Sequence, residues 1–238
     1  MPIYLPELDI NTHIFPDIAS ALREPDGLLA MGGDLSTERI ISAYRNGIFP
    51  WFNTGQPILW WSPSQRAIIK PGDVHISKSM KKQIKQSNCC VSINLAFDDV
   101  IHACAAPRTY QKETWITERM IGAYNKLHQQ GFAHSVEVWS ENRLIGGLYG
   151  VCIGSLFCGE SMFSKETNSS KMAFIALCQH FASFQGMLID CQMVTEHLQR
   201  FGVEGVSRAD FSGYLNRYKN IAVDKKCWAK QSIAITTK

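Results

Sequence analysis

Three polar residues stand where the surrounding sequence leaves little room for them. Glu160 lies in "GGLYGVCIGSLFCGESMFS" (146–164), and Asp190 and Gln192 lie in "MLIDCQ" (187–192). Burying a carboxylate is costly unless it is paired, hydrogen-bonded or protonated, so Glu160 has either a fixed partner or a task. Alternation at period 2 puts Asp190 and Gln192 on one face of a strand, with Ile189 and Cys191 on the other. Glu160 leaves a neighbouring strand, so two carboxylates and an amide converge in a site otherwise walled by apolar side chains. Such a trio suits a reaction that needs orientation and proton handling rather than a metal. Asp190 and Gln192 read equally well as polar groups bonded to backbone at a strand end. There is no H-E-x-x-H, nucleophile elbow or P-loop. Cys158 and Cys191 lie near the trio, but no flanking base marks either as a nucleophile. His75, His134 and His197 are isolated and read as ordinary.

The elements that must position the trio form an antiparallel meander. "AHSVEVWS" alternates, "EN" turns, "RLIGGLYGVCI" runs back, "GS" turns and "LFCGESMFS" runs forward. The small residues of "GGLYG" read as a close backbone approach or as packing under a helix. A helix follows in "SSKMAFIALCQHFASFQG", with Phe174, Leu177, Cys178, Phe181 and Phe184 at helical spacing. Ser169 or Ser170 is the expected cap and Gly186 the stop. "MLIDCQ" is then a buried strand, "TEHLQRFG" and "RADFSGYLNRY" are short helices, and "DKKCWAKQSIAITTK" reads as a loosely held tail. Three antiparallel strands, a helix, a strand and more helices predict an α+β fold whose order matches the core of the acetyltransferase-like fold. Enzymes of that fold hold a coenzyme pyrophosphate on a glycine-bearing loop at the helix start. Here the loop is "SKETNSSK" (164–171), without glycine, so an acyl donor of another kind fits better.

Residues 1–65 are proline- and glycine-rich and predict a small N-terminal domain, followed by a catalytic domain over 66–238. One clear helix starts after Ser36, its N-cap, with Ile40, Ile41 and Tyr44 on its apolar face and Gly47 as its stop. Trp51, Phe52, Trp60 and Trp61 need a core or a ligand to cover them. Over 66–90 the chain carries six basic residues (Arg66, Lys70, Lys78, Lys81, Lys82, Lys85) against one acid, Asp73. "SKSMKKQIKQ" predicts a basic helix capped by Ser77. With the tryptophans it suggests phosphates held by lysine and bases stacked on indoles. It also fits a solvated helix face beside a tryptophan core. Further helices are expected in "AFDDVIHACAA" and "ITERMIGAYNKLHQQG", the latter with Met120, Ile121, Tyr124 and Leu127 on one face and Gly131 as its stop.

At 238 residues the chain can bury a substantial core, and a net charge of +3 points to no partner by itself. Its eight cysteines show no C-x-x-C spacing and read as reduced thiols in a cytoplasm. No signal-peptide pattern and no run of about 18 apolar residues is present, so no membrane partner is expected.

In order along the chain, "LREPDGLLAMGGDLS", "AYRNGIFPWF", "ILWWSP", "HISKSMKK", "TWIT", "AHSVEVW", "GGLYGV", "GESMFS" and "IDCQ" closely resemble the leucyl/phenylalanyl-tRNA–protein transferase family of bacteria. The resemblance implies a small N-terminal domain followed by an acetyltransferase-like (GNAT-like) domain with a mixed, mainly antiparallel sheet. It implies transfer of Leu or Phe, less readily Met, from aminoacyl-tRNA to proteins beginning with Arg or Lys, marking them for degradation by the N-end rule pathway. Catalysis falls by resemblance to Asp190, Gln192 and Glu160: the aspartate orients the glutamine, which helps draw a proton from the attacking α-amine. Trp51 and Trp115 match tryptophans at the 3′-terminal adenosine. Leu148, Phe157, Gly159, Met162, Leu177, Phe181 and Ile189 match positions in or near the apolar pocket for the donor side chain. Lys78, Lys81, Lys82 and Lys85 match the tRNA-backbone cluster. A cytoplasmic monomer without cofactor or metal is expected. Two rivals remain in view: a nucleic-acid-binding module without catalysis, and a coenzyme-A-dependent N-acyltransferase.

Overall fold

The structure, a computed structural model, describes residues 4–107 and 114–237. The first strands are β1 (Glu7–Leu8) and β2 (Leu28–Gly32), followed by α1 (Thr37–Arg45), β3 (Phe49–Pro50) and β4 (Leu59–Trp61). The four strands form a small sheet in the order β1-β2-β4-β3. Trp60 is its centre, fully buried, with Nε1 donating to the Gly32 carbonyl at 3.0 Å and Phe15 edge-on at 4.9 Å. Ser36 caps α1 as the sequence predicts, accepting from the Arg39 N–H. The apolar stripe Ile40, Ala43 and Tyr44 turns inward.

The remaining elements are β5 (Gln65–Ile69), α2 (Lys78–Gln86), β6 (Cys90–Ile93), α3 (Phe97–Ala105), α4 (Glu118–Gln129), β7 (Ala133–Ser140), β8 (Arg143–Ile153), β9 (Leu156–Ser164), α5 (Ser169–Ser183), β10 (Leu188–Gln192), α6 (Glu196–Gln199), β11 (Glu204–Ser207), α7 (Arg208–Tyr218) and β12 (Gln231–Ile233). Their strands form one mixed sheet in the order β11-β5-β10-β9-β8-β7-β6-β12. Every neighbouring pair is antiparallel except β9 and β10. The expected α+β organisation, a small N-terminal region followed by a mixed, mainly antiparallel sheet, is the one observed.

Strand alternation divides the core in two. Tyr149, Val151, Leu156, Cys158 and Leu188 face α3, α4 and the N-terminal region. Leu148, Phe157 and Ile189 face α5 on the other side, with Met172, Phe174, Ile175, Leu177 and Phe181. Each large apolar side chain so buried contributes about 1.5–3 kcal/mol of transfer free energy. Contact between α5 and the meander is close. A Cβ on Gly146 would lie 2.4 Å from the Ser169 Oγ, so "GGLYG" includes a position where only glycine fits under the helix.

Three expectations need correction. Neither Ser169 nor Ser170 caps α5; the cap position is Asn168, at φ 66°, with no side-chain cap bond. The Ser169 hydroxyl instead lies 2.8 Å from each of the carbonyls of Ile145 and Glu166, which compete for its one proton. Strands β5, β6, β11 and β12 were not expected, being short and carrying polar residues. Finally, the C-terminal segment is no loose tail. β12 pairs with β6, Cys227 is fully buried, and Trp228 stacks on His134 at 4.1 Å and lies over Phe157 at 5.4 Å. Trp228→Ala is expected to cost about 3 kcal/mol in a urea melt, the low end for a large aromatic because its ring is only partly buried. A loss of about 0.5 kcal/mol or less, the level of a surface substitution, would restore the loose-tail reading.

Among the described residues no helix is long and apolar enough to cross a membrane. Cys89, Cys90, Cys152, Cys158, Cys178, Cys191 and Cys227 are free thiols.

Candidate active site

β9 and β10 run parallel through the pairs Leu156–Leu188, Phe157–Ile189 and Cys158–Asp190, and there their pairing ends. Beyond that point β9 stays with β8, while β10 stays with β5, so a mouth opens between them. Both strands are irregular at the parting. Gly159 pairs with Gly150 and Ser161 with Tyr149, which leaves Glu160 as the extra residue of a bulge. Asp190 pairs with Ile68 and Gln192 with Ala67, which leaves Cys191 extra, and Gln192 adopts φ 61°. Bulges of this kind re-aim side chains at sites of chemistry. Glu160, Asp190 and Gln192 do converge, but through two bulges rather than by flat alternation.

Glu160 bridges the mouth. Its Oε1 accepts from Gln192 Nε2 at 2.8 Å, and its Oε2 accepts from the Tyr124 hydroxyl at 3.0 Å. The Tyr124 hydroxyl lies 2.6 Å from that of Tyr44. With the Tyr124 proton directed at Glu160, Tyr44 is placed to donate to Tyr124 or to Glu160 itself. Tyr149 stands edge-on to Tyr124 at 5.5 Å. Burial holds all three phenols well above their ordinary range, so they remain neutral. Desolvation likewise pushes Glu160 up, to about 7, although the tyrosine hydrogen bonds oppose the rise. A carboxylate with that value is poised to exchange a proton near neutrality.

Asp190 is fully buried and faces a different partner. Arg66 Nε and Nη2 donate to its two oxygens at 2.8 and 2.7 Å. Asp190 Oδ1 also accepts the Gln192 backbone N–H at 2.9 Å. The aspartate therefore orients the glutamine through its backbone rather than through its side-chain amide. Arg66 completes its bonds by donating Nη1 to the Gly47 carbonyl at 3.0 Å, between the rings of Phe49 and Phe211. Arg66, counted with the lysines over 66–90, is thus no part of their surface: it is 1% exposed. Burial alone would pull its guanidinium down, but the Asp190 charge outweighs this and holds it up. Burial pushes the thiols of Cys158 and Cys191 well up, which leaves neither suited to nucleophilic attack.

The residues matched to a donor pocket divide into two groups. Leu148, Phe157, Leu177, Phe181 and Ile189 are buried in the second core, with Phe157 and Phe181 rings 6.2 Å apart. Met162 instead lines an open cavity of about 840 Å³ with Leu144, Phe163, Ser164, Ser170 and His197. Gly159 lies at the mouth, where an added Cβ would meet only the Asp190 carbonyl oxygen, at 3.7 Å. Trp51 is 39% exposed and edge-on to Trp61, whose Nε1 donates to the Trp51 carbonyl. Trp115 is partly buried against the first core, just ahead of α4.

Lys78, Lys81, Lys82 and Lys85 share one face of α2, at helical spacing; Lys78, Lys82 and Lys85 are exposed and Lys81 is half-buried. Met80 and Ile84 pack into the second core. Gln83 is fixed by the Thr167 carbonyl and by Asn168. The helix is therefore docked through Met80, Gln83 and Ile84 with its lysine face outward.

Sequence reasoning missed Arg66, and it took Tyr44 and Tyr124 for ordinary members of apolar helix faces. The available signal was a lone arginine opening the apolar run "RAII", and a phenol, which needs a partner when buried, in each stripe. Among the described residues no three His, Cys, Asp or Glu side chains are placed to hold a metal ion.

The leucyl/phenylalanyl-tRNA protein transferase family matches residues 68–216, and the N-terminal domain of that family matches residues 33–64. A leucyl/phenylalanyl-tRNA–protein transferase of Psychromonas ingrahamii is 70% identical over 99% of this chain and 99% of its own. Relatives of the same name from Tolumonas auensis (48% identical, 99% of this chain and 100% of the relative) and Aliivibrio fischeri (52% identical, 97% of each) also match. Strands β8, β9 and β10 lie within the matched segment 68–216, and the chain belongs to the leucyl/phenylalanyl-tRNA protein transferase family, a family of aminoacyltransferases.

Proposed function

We propose that this chain moves Leu or Phe, less readily Met, from aminoacyl-tRNA to the α-amine of proteins that begin with Arg or Lys, marking them for N-end rule degradation. The observation that supports this reading best is Glu160, desolvated at the strand mouth and bridged by Tyr124 and Gln192. An ester to a ribose hydroxyl is already activated, so its aminolysis needs a neutral amine held in line and no cofactor; positioning supplies the rest. The acceptor arrives as an α-ammonium with an ordinary pKa of about 7.7–8.0. Glu160 takes one proton from it, and the free amine attacks the ester carbonyl carbon. The tetrahedral intermediate then collapses, breaking the bond to the ribose oxygen. That oxygen leaves with the proton held on Glu160, and the restored carboxylate then takes the surplus proton from the nitrogen of the new amide and passes it to solvent. Gln192 presents its Nε2 to Glu160, so its Oε1 is left to accept an N–H of the incoming amine and orient the lone pair.

The rest of the site fits around this step. Gly159, Met162 and the side chains beneath them (Leu148, Phe157, Leu177, Phe181, Ile189) receive the donor side chain, and Trp51 and Trp115 stack the terminal adenosine. An acetyltransferase-like domain over 66–238 after a small domain over 1–65 suits the parallel pair that splays at the carboxylate. We assign the protein to the cytoplasm as a monomer. Incubation with labelled Leu-tRNA and a peptide beginning with Arg tests the proposal. Label should enter the peptide only from intact aminoacyl-tRNA, and free leucine serving equally well would overturn it.

The lysine face of α2 carries a separate prediction. Changing Lys78, Lys81 and Lys82 together to Ala should weaken tRNA of any sequence. It should also flatten the plot of log affinity against log salt by about 0.7 to 0.9 per lost phosphate contact. An unchanged slope would reduce the helix to a solvated face.

A further inference from the structure

The step just described uses Glu160 and Gln192, and leaves the most deeply buried ion pair of the site without a task. We propose that Arg66 is a positioning residue for acyl transfer: through Asp190 it fixes the backbone at Gln192 that aims the Gln192 amide at Glu160 and at the substrate amine. The inference rests on the reading of Glu160 and Gln192 given above.

Asp190 is occupied by partners within the protein. Its Oδ2 is taken by Arg66 Nη2, and its Oδ1 by Arg66 Nε and by the Gln192 backbone N–H. Bound to a permanent cation and fully buried, this carboxylate has no face open to substrate. The Cys158 thiol also bonds to it, and its contact with Gln192 is the Gln192 backbone N–H. Gln192 needs that contact, because a non-glycine residue at φ 61° persists only where its surroundings hold it. Arg66 is itself held in place: Gly47 takes its Nη1, and the rings of Phe49 and Phe211 pack against the guanidinium at 4.9 and 4.4 Å. Gly47 lies three residues after Tyr44, so the same arginine ties the Tyr44–Tyr124 side of Glu160 to the Gln192 side. Lysine could substitute only in part, since one ammonium keeps the charge beside Asp190 but cannot meet both its oxygens in fork geometry and also reach Gly47.

The test compares wild type with Arg66→Gln and Arg66→Lys, using Leu-tRNA and an Arg-initiated peptide. Displacing a reacting group by about 1 Å costs on the order of 100-fold in rate, and this is the loss in kcat expected for Arg66→Gln. KM for Leu-tRNA should stay within about threefold, because the lost contact serves the chemical step. Arg66→Lys should recover part of the rate. The pH profile separates positioning from mere folding. The groups facing Glu160 are Tyr44 from α1, Tyr124 from α4, Tyr149 from β8, Cys158 from β9, Arg66 from β5, and Asp190 with Gln192 from β10. In Arg66→Gln the carboxylate loses a nearby cation and a well-aimed amide, both of which favour its charged form. The rising limb of kcat must therefore move to higher pH.

A rate within about threefold of wild type overturns the inference, and so does a rate loss with an unmoved limb, which would leave the pair a fold element only. Should Arg66→Gln fail to fold, the double variant Arg66→Met with Asp190→Asn removes both buried charges together. It is expected to fold and to remain slow; recovery of rate along with stability overturns the inference. Wild type that transfers no label overturns this inference and the proposed function together, whereas an active wild type with a fast Arg66→Gln overturns this inference alone.

Discussion

Glu160→Gln is expected to lower the turnover of aminoacyl transfer by roughly 100- to 1,000-fold, the usual contribution of a positioned proton acceptor. Affinity for aminoacyl-tRNA should change by no more than about threefold, since the interaction is made in the transition state. The carboxylate form is the active one, so wild-type kcat should fall as pH drops through about 7. The acceptor amine titrates just above this, at about 7.7–8.0, and contributes a limb of its own. The variant separates the two: with Gln at position 160 only the amine limb remains. A wild-type profile without the lower limb, or a variant with normal turnover, would remove Glu160 from the chemistry.

The same substitution has a consequence for stability whose sign follows from linkage. Glu160 is raised from 4.5 to about 7 by burial. Between those values the native state holds a proton that the unfolded chain has released, so stability falls as pH rises through the window and stays lower above it. Gln has no proton to lose. Glu160→Gln should therefore melt above wild type at pH 8, with the advantage shrinking towards pH 5; each kcal/mol corresponds to roughly 2–4 °C. A site that is catalytically useful is thus held at a cost in stability, as expected where a charge is kept desolvated for function.

How much of this could be read from residues alone depends on the range of the interaction. The meander from Ala133 to Ser164 was legible because its alternation and its turns are local signals. So were the Ser36, Ser77 and Gly131 helix boundaries, which depend on neighbours a few residues away. Convergence of Glu160 with Asp190 and Gln192 was legible from adjacent strands. The bulges at Glu160 and Cys191 were not, since an extra residue breaks the very period on which the argument rested. Arg66 was invisible as a core residue because its partner lies 124 positions away, and a charge beside lysines counts as surface until that partner is known. Tyr44 and Tyr124, 80 positions apart, matched apolar stripes equally well without their hydroxyl contact. The C-terminal strand failed for a related reason. Trp228 is apolar cover for Phe157 and Phe181, and a polar-looking segment gives no sign of what it covers.

Donor choice gives the second large effect, and it turns on Gly159. A side chain there meets no strain, because its nearest neighbour at Cβ is the Asp190 carbonyl oxygen at 3.7 Å, an ordinary contact. Gly159→Leu should therefore fold, and a strand commonly gains from losing a glycine. The leucine would instead project into the mouth between β9 and β10, in the space proposed for the donor side chain. Transfer of Phe should fall by about 100-fold or more, with Leu transfer reduced less, since one added methylene discriminates by only about 1–3 kcal/mol and the larger donor loses more room. By the same arithmetic Met should be a poor donor for wild type rather than an excluded one. Val and Ile should be rejected, because branching at Cβ widens the side chain where it passes Gly159. Comparison of Leu-, Phe-, Met-, Val- and Ile-tRNA with both proteins decides the matter. Efficient use of Val or Ile by wild type, or undiminished Phe transfer by Gly159→Leu, would put the donor side chain elsewhere. Phe157, Phe181 and Ile189 would then be core residues only, which their burial also allows.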